Sequence, residues 1–367
     1  MKIYGKILLF LFSILSLAVA AVVHQPNFLV SAIFDEGESG RTSDFFMNMM
    51  ASENHHFWKN LDRKEESLLK LALEGATNIN FKDVRSLIYD EIPGLFTMTS
   101  EIIVAGQGSD FTNMPFESSP PLEELLKDRE VREDSLEHLQ DDPGDESMVR
   151  PEVNTVFIYH THNRESFLPH LKDSGQSSAV QHKDINITLV GKRFGDQLAK
   201  YGIGAAVDDT DIAAILAERN WEYWQSYQVS RERIQEAMAG NQNLVYFFDI
   251  HRDSARRRTT TTTINGKSYA KIYFVVGESH PNYKENESFA IQLEQRLREK
   301  YPSLSRGIVR KNQTSGNGIY NQDLSSRSLI IEIGGVENTL EEMYNTVEVL
   351  AEVFADYYYS DGGKQEA

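Results

Sequence analysis

The 367-residue sequence contains no cysteine. Disulfides, thiolate metal sites and cysteine nucleophiles are thereby excluded, and any transition-metal site must be built from His, Asp or Glu. Positive charge is also scarce. Against 55 Asp and Glu there are 37 Lys and Arg, a formal net charge of −18. Binding to a phosphate backbone needs a positive surface, so no nucleic-acid partner is expected, and tight peripheral binding to anionic lipid is disfavoured. The GxSxG nucleophile elbow of α/β-hydrolases, the glycine-rich phosphate loop and the HExxH zinc motif are all missing. No internal repeat is visible. The low-complexity stretch is Arg256, Arg257 and Arg258 followed by threonines at 259–263.

What is present is ordinary globular composition, 40% hydrophobic and 25% charged, in a chain long enough for a large core. Lys2 and Lys6 precede an uncharged run over 7–23. This pattern is a secretory signal or a signal-anchor. Ala18 and Ala20 offer a small-x-small cleavage site, but the run reaches the roughly 17 residues needed to span a bilayer, and an uncleaved anchor is the favoured reading. The remainder is then extracytoplasmic, tethered to the cell membrane by a single pass.

Four regions follow from composition: a signal-anchor at 1–26, an accessory region at 27–117, an acidic linker at 118–152 and a catalytic domain at 153–360. The accessory region has helical apolar spacing at Leu68, Leu69, Leu71 and Leu73. The linker opens on Pro120 and Pro121, is dominated by Glu and Asp, and has few residues to fill a core, although Leu122, Leu125 and Leu126 allow a brief helix.

From residue 154 the pattern alternates. Strands are predicted at 156–159, 204–207, 244–250, 269–276 and 328–333, and helices at 184–201, 230–238, 285–301 and from 338 towards 359. Ser230 and Asn338 are the expected N-caps of two of these helices. Strands spaced by helices predict an α/β fold with a mostly parallel sheet covered on both faces.

In such folds ligands bind beyond the carboxyl ends of strands, and polar clusters stand there. The first is 159–166 (YHTHNRES), in which His160 and His162, two apart on an extended chain, point the same way. The second is 249–253 (DIHRD), with His251 at a strand exit and Asp249 and Asp253 read as structural. The third is Glu332 inside the apolar run 329–335. Burial there raises a carboxyl's pKa and prepares a general base or acid, unless the group simply pairs with Arg252 or Arg327. His182 stands just before a helix, where a neutral, ligating imidazole is favoured. Three protein ligands would leave Zn2+ one open position for an activated water. Glu332 would take that water's proton and pass it to the leaving nitrogen of an amide.

The segments 159–169 (YHTHNRESFLP), 186–191 (NITLVG), 249–254 (DIHRDS), 320–325 (YNQDLS) and 329–335 (LIIEIGG), followed by Asn338 and Thr339, together resemble the stage II sporulation protein P family. The resemblance covers about residues 153–357. It implies a fold similar to zinc-dependent N-acetylmuramoyl-L-alanine amidases, and cleavage of the bond between N-acetylmuramic acid and L-alanine in peptidoglycan. It further implies endopeptidase activity on peptide cross-links, a membrane anchor, and action during spore engulfment with stage II sporulation proteins D and M. Carried over residue by residue, it implies His162 rather than His160 as first zinc ligand, His251 as third, and Glu332 as the catalytic acid and base. His182 is the expected second ligand. Glu165 is its rival, as ligand or in substrate binding, and Arg252 is a further candidate for substrate. Two other readings stand beside this one. A zinc carboxypeptidase would need a cation such as Arg164, Arg252 or Arg327 for a terminal carboxylate. A non-catalytic wall-binding scaffold would need no intact site.

Overall fold

A computed structural model of the protein describes residues 100–115, 120–127, 129–135, 151–172 and 180–360. The expected anchor, the accessory region up to residue 99 and linker residues 136–150 lie outside them. All described residues belong to one unit, 96–367. Among them no helix is long and apolar enough to cross a membrane.

Seven strands form one sheet. They are β1 (Glu101–Ala105), β2 (Asn154–Tyr159), β3 (Gly204–Val207), β4 (Tyr246–Asp253), β7 (Ile272–Gly277), β8 (Ser305–Lys311) and β9 (Ser328–Gly335), in spatial order β1-β8-β7-β9-β4-β2-β3. Strands β5 (Thr261–Ile264) and β6 (Lys267–Ala270) make a separate hairpin whose turn places Asn265 and Gly266 at positive φ. The sheet is mixed. Strands β3, β2, β4 and β9 run parallel, as do β7 and β8, whereas β7 is antiparallel to β9 and β1 to β8. The reversal at β7 has a simple cause. Between β4 and β7 the chain makes a hairpin rather than a helical crossover, and a parallel return needs a crossover.

Alternation along the strands divides the side chains between two layers. Ile158, Phe248, Phe274, Ile331 and Ile333 face a core shared with helices α2 (Ile187–Lys200), α6 (Tyr283–Lys300) and α7 (Leu340–Tyr359). Phe157, Tyr159 and Phe247 face the other way, towards Ile234 of α4 (Ser226–Gly240). That second face carries the chemistry.

The helix starts differ from the expected ones for local reasons. Helix α7 is capped by Thr339, in a reciprocal box with Glu342, while Asn338 spends its side-chain oxygen on Gly335 N and Thr260 Oγ1. Helix α4 begins four residues before Ser230. That serine is buried inside the helix, its hydroxyl accepting from Asn321 Nδ2 and donating to the Thr161 hydroxyl (2.8 Å), with Tyr227 O also within reach (3.2 Å). Strand β8 carried no sequence signal, because only Ile308 and Val309 interrupt a polar and basic stretch.

Two stretches expected outside the catalytic domain are built into it. Residues 101–105, from the accessory region, form the edge strand β1. Gly307 (φ 102°) lets it approach β8, since a Cβ there would lie 1.9 Å from Val104 O. Residues 129–132, from the linker, lie along the loop before α2. Arg132 N donates to His170 O, Lys172 N to Glu130 O and Arg129 Nη1 to Gln181 O, while Val131 packs against Leu171, Val180 and Val336. The brief helix expected nearby is α1 (Leu122–Leu125), and a second short helix, α5 (Arg257–Thr260), precedes the hairpin.

Candidate active site

The loop leaving β2 has a task for each residue. His160 turns away from the site: its Nδ1 lies 3.0 Å from Asp208 O and its ring fits under α2, where a Cβ on Gly191 would fall 2.1 Å from Nε2. Thr161 fastens the loop to β4, its N–H donating to Asp249 Oδ1 (2.8 Å) and its hydroxyl to Oδ2 (2.6 Å). Asn163 and Arg164 both bond Asp211, the N-cap of α3 (Ile212–Arg219). Ser166 donates to Ile185 O. A tight turn, Glu165 N to His162 O (3.1 Å), then presents the side chains of 162 and 165 together.

His162 is buried, stacked on Tyr223 with ring centroids 4.4 Å apart and edge-on to His251 at 5.1 Å. Burial, then the neighbouring His251 and Arg252, hold its pKa well below the ordinary value, so it is neutral. Both of its ring nitrogens lack a hydrogen-bond partner. His251 is held differently. Its Nε2 lies 2.9 Å from Asp249 Oδ1 and its Nδ1 3.7 Å from Glu165 Oε2. Burial alone would depress its pKa, but Asp249, Glu165 and Glu332 outweigh burial and raise it to about 10. Glu165 Oε2 also accepts the backbone N–H of Arg252 (2.9 Å). Glu332 is paired in register with His251 across β4 and β9. Burial pushes its carboxyl up to about 8, and its Oε2 has no hydrogen-bond partner.

His162, Glu165, His251 and Glu332 are therefore brought together. His182 is not. Its Nδ1 accepts the N–H groups of Asp184 (3.0 Å) and Ile185 (2.9 Å), and its Nε2 lies 3.1 Å from Arg129 O. Both nitrogens are spent on ordering the backbone before α2, which corrects the expectation that this imidazole faces a metal. Arg252 is also corrected as a substrate contact: its guanidinium is buried against the carbonyls of Ser166, Val180 and Asp253. Arg164 is committed to Asp211 and Leu125 O, and Arg327 to Tyr246 at the far end of β4. None of the three cations considered for a terminal carboxylate faces the site, and neither Arg252 nor Arg327 pairs with Glu332.

The donor set fits a divalent cation. A neutral, buried imidazole with two unpartnered nitrogens stands beside an excess of carboxylates. Unsatisfied buried polar atoms cost about 1–3 kcal/mol each, which a bound cation would offset. As arranged, no three His, Asp or Glu side chains among the described residues are close enough to hold a metal ion. His251 sits between its carboxylates as a protonated imidazole, and metal binding would release that proton.

Sequence reasoning did not find Asp249 as the partner of His251, although their i, i+2 spacing puts both on one face. Tyr223, Tyr227 and Lys311 gave no signal, since nothing near them in sequence marks a site.

Residues 82–355 match the family described as Stage II sporulation protein P. The chain is 43% identical over 323 residues to Stage II sporulation protein P of Bacillus subtilis (strain 168), covering 86% of this chain and 80% of that one. Among solved structures, an N-acetylmuramoyl-L-alanine amidase from Clostridium difficile 630 is 17% identical with a TM-score of 0.32, covering 57% of this chain and 99% of that one. A metallo-carboxypeptidase from Burkholderia cenocepacia is 11% identical with a TM-score of 0.32, covering 57% and 58%. By its match over most of its length and its identity to a curated relative, the chain belongs to the stage II sporulation protein P family.

Proposed function

We propose that this protein is a zinc-dependent peptidoglycan hydrolase that cleaves the amide between N-acetylmuramic acid and L-alanine. Its activity extends to peptide cross-links, and it acts in engulfment from a membrane anchor, with stage II sporulation proteins D and M as partners. The observation that carries the chemistry is the buried meeting of His162, His251, Glu165 and Glu332, with His162 nitrogens and a Glu332 oxygen left unpartnered.

His162, Glu165 and His251 would hold the zinc, and Glu165 takes the place expected of His182. When bound, zinc supplies a Lewis acid and a water acidic enough to be deprotonated near neutral pH. Asp249 fixes the His251 ring through Nε2 and leaves Nδ1 towards Glu165. The Thr161 bonds to Asp249 lock the loop that carries His162 to the strand that carries His251. Glu332, on the neighbouring strand, accepts a proton at its free Oε2 and returns it to the leaving nitrogen. Tyr223 shields one face of His162 from water.

The test is digestion of purified peptidoglycan by the full chain, with and without a zinc chelator, read by mass spectrometry. Stem peptides beginning at L-alanine, lost on chelation and restored by zinc, are expected. Trimmed peptides alone would favour a peptidase. Intact peptidoglycan after incubation with folded, zinc-loaded protein would refute both.

A further inference from the structure

Lys311 ends strand β8. It is only 3% exposed, and its ammonium makes no hydrogen bond or ion pair with any described residue. Neighbouring cations on the same strand are matched: Arg306 by Asp253 (2.6 Å) and Arg310 by Glu287 and Glu278 (both 2.9 Å). An ammonium on a buried stem that has no carboxylate partner among the described residues leaves its charge available to an anion that arrives later.

Its position says where that anion would lie. In the parallel register of β7 and β8, Val309 lies beside Val275 and Lys311 beside Gly277, while Val275 pairs with Ile330 of β9. Alternation puts Lys311 on the same face as Val309, Val275, Ile330 and Glu332. Strand β7 lies between β8 and β9, and Glu332 stands beside Tyr273 and Gly307, four residues before Lys311, so the two backbone positions are about 10 Å apart across the sheet and about 13 Å apart along it. That is too far to stabilise charge on the scissile carbonyl, yet its field still reaches Glu332. Tyr320 bridges the interval. It is a bulky residue held at φ 57°, a conformation that costs about 1–3 kcal/mol and persists only where the surroundings impose it. Its buried ring is edge-on to Tyr227 (5.4 Å), which is edge-on to His162 (5.5 Å). A Cβ on Gly316 would lie 2.0 Å from the Tyr320 hydroxyl and 3.7 Å from Lys311 Cδ, so both close on one small space. A row of aromatic rings thus leads from His162 to a cation with no carboxylate partner among the described residues.

On the hydrolase reading above, we propose that Lys311 anchors a carboxylate of the peptide portion of the substrate, at a subsite across the sheet from the reacting amide. Lys311 is a positioning residue. The carboxylate is either the α-carboxylate of the D-glutamyl residue or the C-terminal carboxylate of the stem.

The test measures binding, so that it does not depend on turnover. Calorimetry on the full chain carrying Glu332→Gln uses the probe N-acetylmuramoyl-L-alanyl-γ-D-glutamyl-L-lysine in three forms: free acid, amidated at the D-glutamyl α-carboxylate, and amidated at the C-terminus. Adding Lys311→Met is expected to weaken the free acid at least tenfold, and Lys311→Arg to restore most of the loss. Amidating the responsible carboxylate should cost as much as Lys311→Met, and the two losses should not add; which amide does so identifies the carboxylate. Should Lys311→Met fail to fold, the three probes on the Lys311 protein still decide. Equal affinity for all three probes, equal loss on acid and amides, or no binding of any probe would overturn the assignment. Failure of the hydrolase reading shows separately, as intact peptidoglycan with the unsubstituted chain.

Discussion

At the scale of single residues, two imidazoles 5.1 Å apart have opposite electrostatic fates. His162 is kept neutral by burial, whereas His251 is charged by the carboxylates around it. Asp249 matters most for that contrast, because it contacts His251 and also holds Thr161, the residue just before the turn that presents Glu165. Carboxylates that hydrogen-bond a metal-ligating histidine in this way typically change metal affinity about 10–100-fold. Asp249→Ala is therefore expected to weaken zinc binding by that order, measured by competition with a chromophoric chelator. An unchanged affinity in a folded variant would show that Asp249 serves only packing. The residue types at strand exits were legible from sequence, and so was the burial of Glu332. The choice between His182 and Glu165 was not. It depends on the four-residue turn 162–165 and on the carbonyl of Arg129, more than fifty residues earlier in the chain, meeting the His182 ring.

Among the elements, helices α2 and α7 seat the site through small local contacts. Gly191 lies within α2, where alanine would ordinarily be the better helix former. Here a methyl group would strike His160 Nε2, and His160 sits two residues before His162. Gly191→Ala is expected to cost about 1–3 kcal/mol despite its higher propensity, seen as a lower denaturation midpoint; a raised midpoint would contradict the close approach. Helix α7 depends on His170, whose Nε2 accepts the N–H of Leu340 (2.9 Å) and whose pKa burial holds down to about 4. The unfolded chain takes up this proton near pH 6.5, the folded chain only near pH 4. The contribution is complete above pH 6.5 and is lost as pH falls from 6.5 to 4, about 3 kcal/mol in all. Denaturant midpoints compared with His170→Gln should converge across that window; a constant offset would contradict it. Long apolar strands such as β4 and β9 were readable because burial on both faces writes itself as a continuous hydrophobic run. Strand β8 was not, because the charges of Arg306 and Arg310 are neutralised by partners distant in sequence, Asp253, Glu287 and Glu278.

For the whole molecule, the domain starts earlier than composition implies. Strand β1 closes one edge of the sheet, and Asn113 O accepts from the buried Arg306. A chain cut between the expected accessory region and linker, 118–367, loses both and leaves the β8 edge open to other chains. It is expected to aggregate or to melt at clearly lower temperature than 96–367, by size-exclusion chromatography and thermal denaturation. Equal stability would mean that β1 is dispensable.

The most direct test is zinc content per chain in purified full-length variants, by inductively coupled plasma mass spectrometry. The unsubstituted chain, His182→Ala and Glu332→Gln should each retain stoichiometric zinc, with Glu332→Gln inactive. His162→Ala, Glu165→Ala and His251→Ala should each lose it. Zinc retained after loss of His162 or His251, or lost with His182 while Glu165→Ala keeps it, would contradict the centre described.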